Sequence, residues 1–281
     1  GHKISYLHAT CSAVSLMTFR RTLEHMKRIA IWLYQVYVWL IFYPVGFLIT
    51  LVAGWTTVLV AMIWNPRVAS RYIAASWARI ISWMTPVKVT VEGAENADPT
   101  RTYVVVCNHQ SQYDIFLVYG WLKLDLKWVL KAELRKIPGV GIGCEKAGHI
   151  YIDRSRPDLA RKAIKDALDL VGDGVGVLFF PEGTRSLTGK MGPFKKGAFR
   201  VATSQKLPIL PVTLIGTRDI QKAKSLMIVP GKMQMVIHPA IEVTGSEDPD
   251  VIRDLISRTR ETINSALPPE LREALDAPRQ T

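Results

Sequence analysis

Hydrophobic and polar positions divide the chain into a long uncharged stretch followed by a region in which short β-branched runs alternate with helical patterns. Ile29 to Trp64 contains no charged residue. As a single helix this stretch would run about 54 Å against a hydrocarbon core of about 30 Å. Pro44 and Gly46 lie near its middle, where a helix breaks most easily, so the pattern predicts two apolar helices, Ile29–Tyr43 and Val45–Trp64. Arg20, Arg21, Lys27 and Arg28 precede the stretch and Arg67, Arg71 and Arg79 follow it, which directs both ends to the cytoplasm. A re-entrant pair and a full hairpin both fit the lengths, and a buried hairpin of a soluble protein is the remaining alternative. From Ala69 to Met84, Tyr72, Ile73, Trp77, Ile80 and Ile81 recur at helical spacing with arginines opposite, the pattern of an interfacial helix.

After Pro86 the period changes. Val87 to Val91 alternates as a strand, and Tyr103-Val104-Val105-Val106-Cys107 is a continuous apolar run that reads as a buried one. A helix from Ile115, strands at Lys127–Leu130 and His149–Ile152, and a helix at Pro157–Val171 stopped by Gly172 and Gly174 follow. Val175–Phe180 has the composition of a central parallel strand. Further on come a helix at Ala198–Ser204, a strand at Leu207–Ile215, and short strands around Met227–Val229 and Met233–His238. A last helix opens with Asp248 as N-cap and Pro249 behind it. Glycines 139, 141 and 143 look like a dinucleotide loop only superficially, because no strand immediately precedes them and no helix clearly follows.

The fold class this predicts is α/β, a mixed and largely parallel sheet flanked by helices, with an N-terminal apolar two-helix membrane element. The expected organisation is an N-terminal segment over residues 1–28, membrane-associated helices over 29–84, an α/β domain over 85–267 and a polar tail over 268–281. Gly1-His2 reads as a tag-derived scar with Met17 as the native start, and no cleavable signal peptide is evident.

A formal net charge of +12 favours anionic partners: a membrane surface, phosphorylated substrates or an acidic carrier protein. Nucleic acid is excluded as a partner for want of zinc-finger spacing, a basic zipper region or an RNA-recognition signature. Three cysteines without paired spacing, Cys11, Cys107 and Cys144, indicate a reducing compartment. Cys107 belongs to the apolar run and reads as a small buried hydrophobe.

Candidate chemistry sits where two of these strands end. Asn108-His109-Gln110-Ser111-Gln112-Tyr113-Asp114 follows the Tyr103–Cys107 run, placing His109 in a loop and Asp114 on the first turn of the next helix. A carboxylate beside a histidine fixes its tautomer and stabilises the imidazolium. No G-x-S-x-G nucleophile elbow accompanies the pair, so the nucleophile would be a substrate hydroxyl deprotonated by His109. The same pair also serves simply to cap a strand-to-helix loop, and taken alone it does not separate the two. Glu182-Gly183-Thr184-Arg185 ends the second strand with a glycine, a hydroxyl and a guanidinium, a set suited to phosphate, or else a solvated turn closed by its own ion pair. Lys131, Lys195 and Lys196 are within reach of that loop in sequence.

Taken together, Asn108-His109-x4-Asp114, Gly148-His149-Ile150-Tyr151-Ile152-Asp153-Arg154, Phe180-Pro181-Glu182-Gly183-Thr184-Arg185-Ser186 and Leu207-Pro208-Ile209-Leu210-Pro211-Val212 resemble the four blocks of the glycerolipid acyltransferase family, in particular its bacterial 1-acylglycerol-3-phosphate O-acyltransferases. The resemblance spans Val87 to Ile215. It implies transfer of a fatty acyl group from an acyl thioester, on acyl carrier protein or coenzyme A, to the sn-2 hydroxyl of lysophosphatidic acid, giving phosphatidic acid. It also implies His109 as general base oriented by Asp114, with Glu182, Gly183, Thr184, Arg185, Lys131 and Arg154 shaping the acceptor phosphate site. No cofactor or metal is implied, since the thioester is a co-substrate, and the expected place is the cytoplasmic face of a cell inner membrane, in contact with membrane lipids. Another glycerolipid acceptor, or a non-catalytic phospholipid-binding role, is the alternative. His149 stands where the family usually has an apolar residue and is expected to face solvent.

Overall fold

The five apolar residues Tyr103–Cys107 form the central strand of a seven-stranded sheet in the computed structural model, which describes residues 21–137, 140–153, 156–171 and 173–272. The expected native start at Met17, the helix stop at Gly172, Gly139 and Arg154 lie outside the described residues. Strands β1 (Val87–Glu92), β2 (Tyr103–Cys107), β3 (Asp125–Lys131), β4 (Ile150–Ile152), β5 (Val175–Phe179), β6 (Ile209–Ile215) and β7 (Gly231–Ile237) are ordered β1-β7-β6-β2-β5-β3-β4. Neighbours run parallel except β6 and β7, so the sheet is mixed and largely parallel as the alternating pattern predicts. The helices are α1 (Arg21–Ile63), α2 (66–84), α3 (Tyr113–Trp121), α4 (Val140–Lys146), α5 (Pro157–Val171), α6 (Gly197–Gln205), α7 (Thr217–Ile220) and α8 (Pro249–Ala266).

Alternation along β2 splits the core between the two faces of the sheet. Tyr103, Val105 and Cys107 pack with Val38 and Phe42 of α1, Ile81 of α2 and Phe116 of α3. Val104 and Val106 pack with Ile164 of α5, Phe199 of α6 and Ile263 of α8. One face therefore carries the apolar N-terminal helices and the other carries α5, α6 and α8. Because β2 pairs with β5 in parallel, with Val106 beside Phe179, the loops leaving both C-terminal ends emerge side by side.

The predicted break at Pro44 does not occur. A single helix of 43 residues runs from Arg21 to Ile63. Residues 38–42 wind one residue wider per turn, with the Tyr43 N–H reaching the Val38 carbonyl, immediately before the proline. A wide turn there absorbs the missing N–H and the clash of the ring with the preceding turn. The chain reverses instead at Asn65-Pro66, where the Asn65 side chain accepts the Arg67 N–H at 2.8 Å and the proline occupies the first helical position of α2. The two-helix element is thus α1 with α2. At 1.5 Å per residue α1 is about 65 Å long, long and apolar enough to cross a membrane. Trp32, Leu33, Trp39, Leu40, Phe47 and Leu48 are all more than half exposed on it.

Polar contacts fasten this element to the domain. The Gln35 amide donates to the Ile228 carbonyl at 2.8 Å and accepts the Ile228 N–H at 3.3 Å, while the Tyr43 hydroxyl donates to the Leu226 carbonyl at 2.6 Å. The segment predicted as a strand around Met227–Val229 is therefore not one: its backbone groups at 228 are taken by α1, and Val229 N–H donates to Ile220. On α2, Ser70 meets Asp125 and accepts from the buried Lys127 ammonium at 2.9 Å. Lys127 also donates to Asp125 at 3.0 Å and to the Ala147 carbonyl at 2.8 Å, satisfying its three protons. The glycine-rich stretch, expected to lack a following helix, folds as α4, and Gly143 lies so close to α1 that a Cβ there would stand 3.0 Å from the Gly54 carbonyl oxygen.

Candidate active site

Asn108 extends β2 past its ladder by pairing with the backbone of Leu214 on β6, donating through Nδ2 at 2.9 Å and accepting through Oδ1 at 2.7 Å. The next residue is therefore presented above the sheet in a fixed place. His109 N–H donates to Glu182 Oε1 at 2.7 Å, and the His109 carbonyl accepts the Ser186 N–H at 2.8 Å. These bonds zip the loop after β2 to the loop after β5 along their backbones. The Gln110 side chain donates to the Gly189 carbonyl at 2.7 Å and the Ser111 hydroxyl to the Gln221 carbonyl at 2.7 Å, so the loop is held on both flanks.

Asp114 lies on the first turn of α3 and is fully buried. Its Oδ2 accepts the Gln110 N–H at 2.6 Å and the Ser111 N–H at 2.8 Å and stands 2.8 Å from His109 Nδ1. Its Oδ1 accepts the Thr217 hydroxyl at 2.5 Å. A carboxylate already accepting two backbone N–H groups at Oδ2 takes a third donor there, which places the imidazole proton on Nδ1 and the lone pair on Nε2. The ring is stacked on Phe180 with centroids 4.0 Å apart and planes 16° apart. Nε2 has no hydrogen-bond partner among the described residues, and His109 lines a cavity of about 440 Å³. Such a histidine can take a proton from a hydroxyl brought into that cavity.

Glu182 is the brace between the loops. Besides His109 N–H, it accepts the Gly192 N–H through Oε2 at 2.8 Å, and it is 8% exposed. Burial pushes its carboxyl up to about 7, with the two backbone N–H groups pulling the other way. The folded protein therefore holds this proton from about 4.5 to about 7, where the unfolded chain has released it. The stability it confers is complete below about 4.5 and is lost as pH rises through about 7. Unfolding free energies of wild type and Glu182→Gln, taken from denaturant titrations across that interval, should diverge with pH by roughly 3 kcal/mol in total, the variant lacking the slope. Parallel curves would show that Glu182 does not titrate there.

The residues expected to hold phosphate are less tightly drawn together. Gly183 has φ +78, a left-handed conformation that favours glycine, and sits under the Lys195 side chain. Thr184 is exposed and Arg185 half-buried, and neither side chain bonds to the His109–Asp114 pair. Lys131 is exposed at the end of β3. Arg154 lies outside the described residues. His149, expected to face solvent, turns inward: Nδ1 accepts the Trp128 N–H at 3.3 Å and the ring meets the Tyr119 hydroxyl at 2.8 Å. Burial, reinforced by the Lys127 charge, pushes its imidazole down to about 3. Cys107 is buried as expected, and burial drives its thiol up, away from nucleophilic use.

A second cavity of about 330 Å³ lies beneath the apolar helices, lined by residues including Thr50 and Gly54 of α1, Trp77 of α2, Tyr119, Cys144 and His149. Trp128 belongs to the walls of both cavities. Three contributors here escaped the sequence reading. Thr217 is a hydroxyl two residues past β6, Gly192 offers only a backbone N–H, and Trp128 has no motif around it; none carries a local pattern that marks it.

The family model described as Acyltransferase matches residues 88–215. The chain is 33% identical over 219 residues to a 1-acyl-sn-glycerol-3-phosphate acyltransferase of Pseudomonas aeruginosa, a match covering 76% of this chain and 84% of that one. It is 36% identical over 207 residues to a Chlamydomonas reinhardtii protein of the same description, covering 73% of this chain and 60% of the algal one, so it spans less than two thirds of that relative. The crystal structure of the 1-acyl-sn-glycerophosphate (LPA) acyltransferase PlsC from Thermotoga maritima is similar, with a TM-score of 0.70 and 25% identity over 87% of this chain and 99% of that one.

Proposed function

Because the chain belongs to the 1-acyl-sn-glycerol-3-phosphate acyltransferase family, we propose that it moves a fatty acyl group from a thioester, on acyl carrier protein or coenzyme A, to the sn-2 hydroxyl of lysophosphatidic acid, forming phosphatidic acid. The observation that carries the mechanism is the His109 ring, proton fixed on Nδ1 by Asp114 and Nε2 open to a cavity. Nε2 takes the hydroxyl proton as the oxygen bonds to the thioester carbon. The tetrahedral intermediate collapses, the C–S bond breaks, and the departing thiolate takes the proton back from the imidazolium. Asp114 stabilises that cation while it exists. A thioester is already activated, so the step needs neither a metal nor a nucleotide.

Arg185 and Lys131 supply charge for the acceptor phosphate, with Gly183 and Thr184 letting it approach the backbone and Arg154 as a further acceptor-side cation. Glu182 acts on His109 through the backbone rather than on substrate. The apolar cavity under α1 and α2 gives an acyl chain room next to the site. These two helices, with Arg67, Arg71 and Arg79 on the second, hold the domain against the cytoplasmic face of the inner membrane, where lipid substrates enter without leaving the bilayer. Purified protein given one acyl thioester and a panel of acceptors should make phosphatidic acid from lysophosphatidic acid far faster than products from glycerol 3-phosphate or lysophosphatidylcholine, read by mass spectrometry. A preference for either of the others would overturn the assignment of the acceptor.

A further inference from the structure

Helix α1 is fastened to the domain at points far apart along its length. Gln35 bonds to Ile228 and Tyr43 to Leu226 toward one end, and toward the other the backbone of Gly54 lies against Gly143 of α4. Gln35 and Gly54 are about 28 Å apart along the helix, against a hydrocarbon core of about 30 Å. Between them Val38 and Phe42 share one core with Tyr103 and Val105 of the central strand. An α1 that crossed the bilayer would therefore carry the sheet and the His109 loop into hydrocarbon, where charged side chains are rare and costly. The length of α1 suits a crossing, but its attachments suit a helix lying along one surface.

Of the seven exposed large apolar side chains that follow α2 among the described residues, five gather beside those two attachments. Leu226 and Met227 stand next to the bonds from Tyr43 and Gln35, and Leu134, Ile137 and Ile142 stand on α4 and just before it. Each cluster also presents lysines. Lys222 and Lys224 are exposed in a stretch with no acidic residue between Gln221 and Pro230. Lys136 and Lys146 are exposed on the other side, where Glu133 and Glu145 are the acidic neighbours and Glu145 faces Arg135 at 3.3 Å.

We infer that these two loops are rims by which the domain docks on an anionic bilayer surface, their apolar tips entering the headgroup layer and the four lysines meeting lipid phosphates. Helix α1 bridges the two rims along the same leaflet. An apolar tip beside a lysine suits this boundary, because the side chain enters the acyl edge while the ammonium stays with the phosphates. Continuity with α1 selects a bilayer over a protein partner: the rims adjoin a helix that is uncharged from Ile29 to Ile63, with Trp39, Leu40, Phe47 and Leu48 more than half exposed. The inference rests on the membrane association proposed above for α1 and α2 and is independent of the reaction catalysed.

The test floats the full chain with vesicles of phosphatidylcholine alone or of phosphatidylcholine and phosphatidylglycerol at about two to one. Wild type should bind the anionic vesicles at least about tenfold more tightly. Lys136→Gln, Lys146→Gln, Lys222→Gln and Lys224→Gln together should remove most of that preference and leave binding to phosphatidylcholine as in wild type, since α1 still inserts. All four residues are exposed, and circular dichroism checks that the variant is folded. In a second arm, Met227→Cys or Ile142→Cys, each with Cys11→Ser and Cys144→Ser, carries an environment-sensitive fluorophore. Both labels should be quenched more by lipids with a nitroxide near the headgroup than by lipids with one near the chain end. An undiminished preference in the quadruple variant, equal binding of wild type to both vesicles, or a label that no lipid quenches overturns the inference. Stronger quenching from the chain end at either position also overturns it, because that rim would then sit deep in the bilayer. Wild type bound to neither vesicle would defeat the membrane association itself.

Discussion

His109→Ala is expected to lower kcat by about 10²–10⁴-fold with little change in stability. The ring is removed, but what anchors the loop is backbone: the bonds from His109 N–H to Glu182 and from Ser186 N–H to the His109 carbonyl remain available to alanine. The expected loss is therefore confined to proton transfer. The stacking of the ring on Phe180 contributes packing, so a small drop in melting temperature accompanies the substitution without unfolding the protein. A folded variant with near wild-type turnover would show that another group accepts the hydroxyl proton.

Asp114→Asn is expected to approach the same loss by a different route. The carboxylate accepts at both oxygens, from two backbone N–H groups and His109 on one and from Thr217 on the other. An asparagine presents an N–H₂ to one of these sets. If it faces Gln110, Ser111 and His109, donors oppose donors and the loop shifts; if it faces Thr217, that hydroxyl must reverse and accept. Either way the imidazole loses the charge that stabilises its protonated form, and kcat falls by about 10²–10⁴-fold. Because the two residues act as one unit, the double variant His109→Ala, Asp114→Asn should be no slower than His109→Ala alone. Multiplicative losses would mean that Asp114 contributes independently of the ring, as a structural cap whose removal damages the loop in its own right.

Much of the sheet could be read from composition because a parallel strand buried on both faces leaves a continuous apolar run. Tyr103–Cys107 and Val175–Phe179 are such runs, and they turned out to be adjacent, with both motif loops at their C-terminal ends. The His109–Asp114 contact was legible because five residues of loop and helix start bring the two together locally. Long-range partners were not. Thr217 is 103 residues from Asp114 and Glu182 is 73 residues from His109, and their side-chain roles depend on a strand order that no local pattern encodes. Pro44 misled for a related reason: a proline weakens a helix by a local amount, but α1 is held just before it by Gln35 and Tyr43, which bind the 226–228 segment, and one wide turn accommodates the ring. His149 was misplaced because a histidine in a strand looks solvent-facing until Tyr119 and Trp128 are seen to satisfy it.

In the proposed mechanism His109 activates a lipid hydroxyl rather than water. Thiol release from an acyl thioester by purified protein in lipid or detergent, measured with and without lysophosphatidic acid, tests it most directly. Release that requires the lysolipid and is matched one for one by phosphatidic acid is the predicted result. Release at the same rate without it would make the protein a thioesterase and contradict the account.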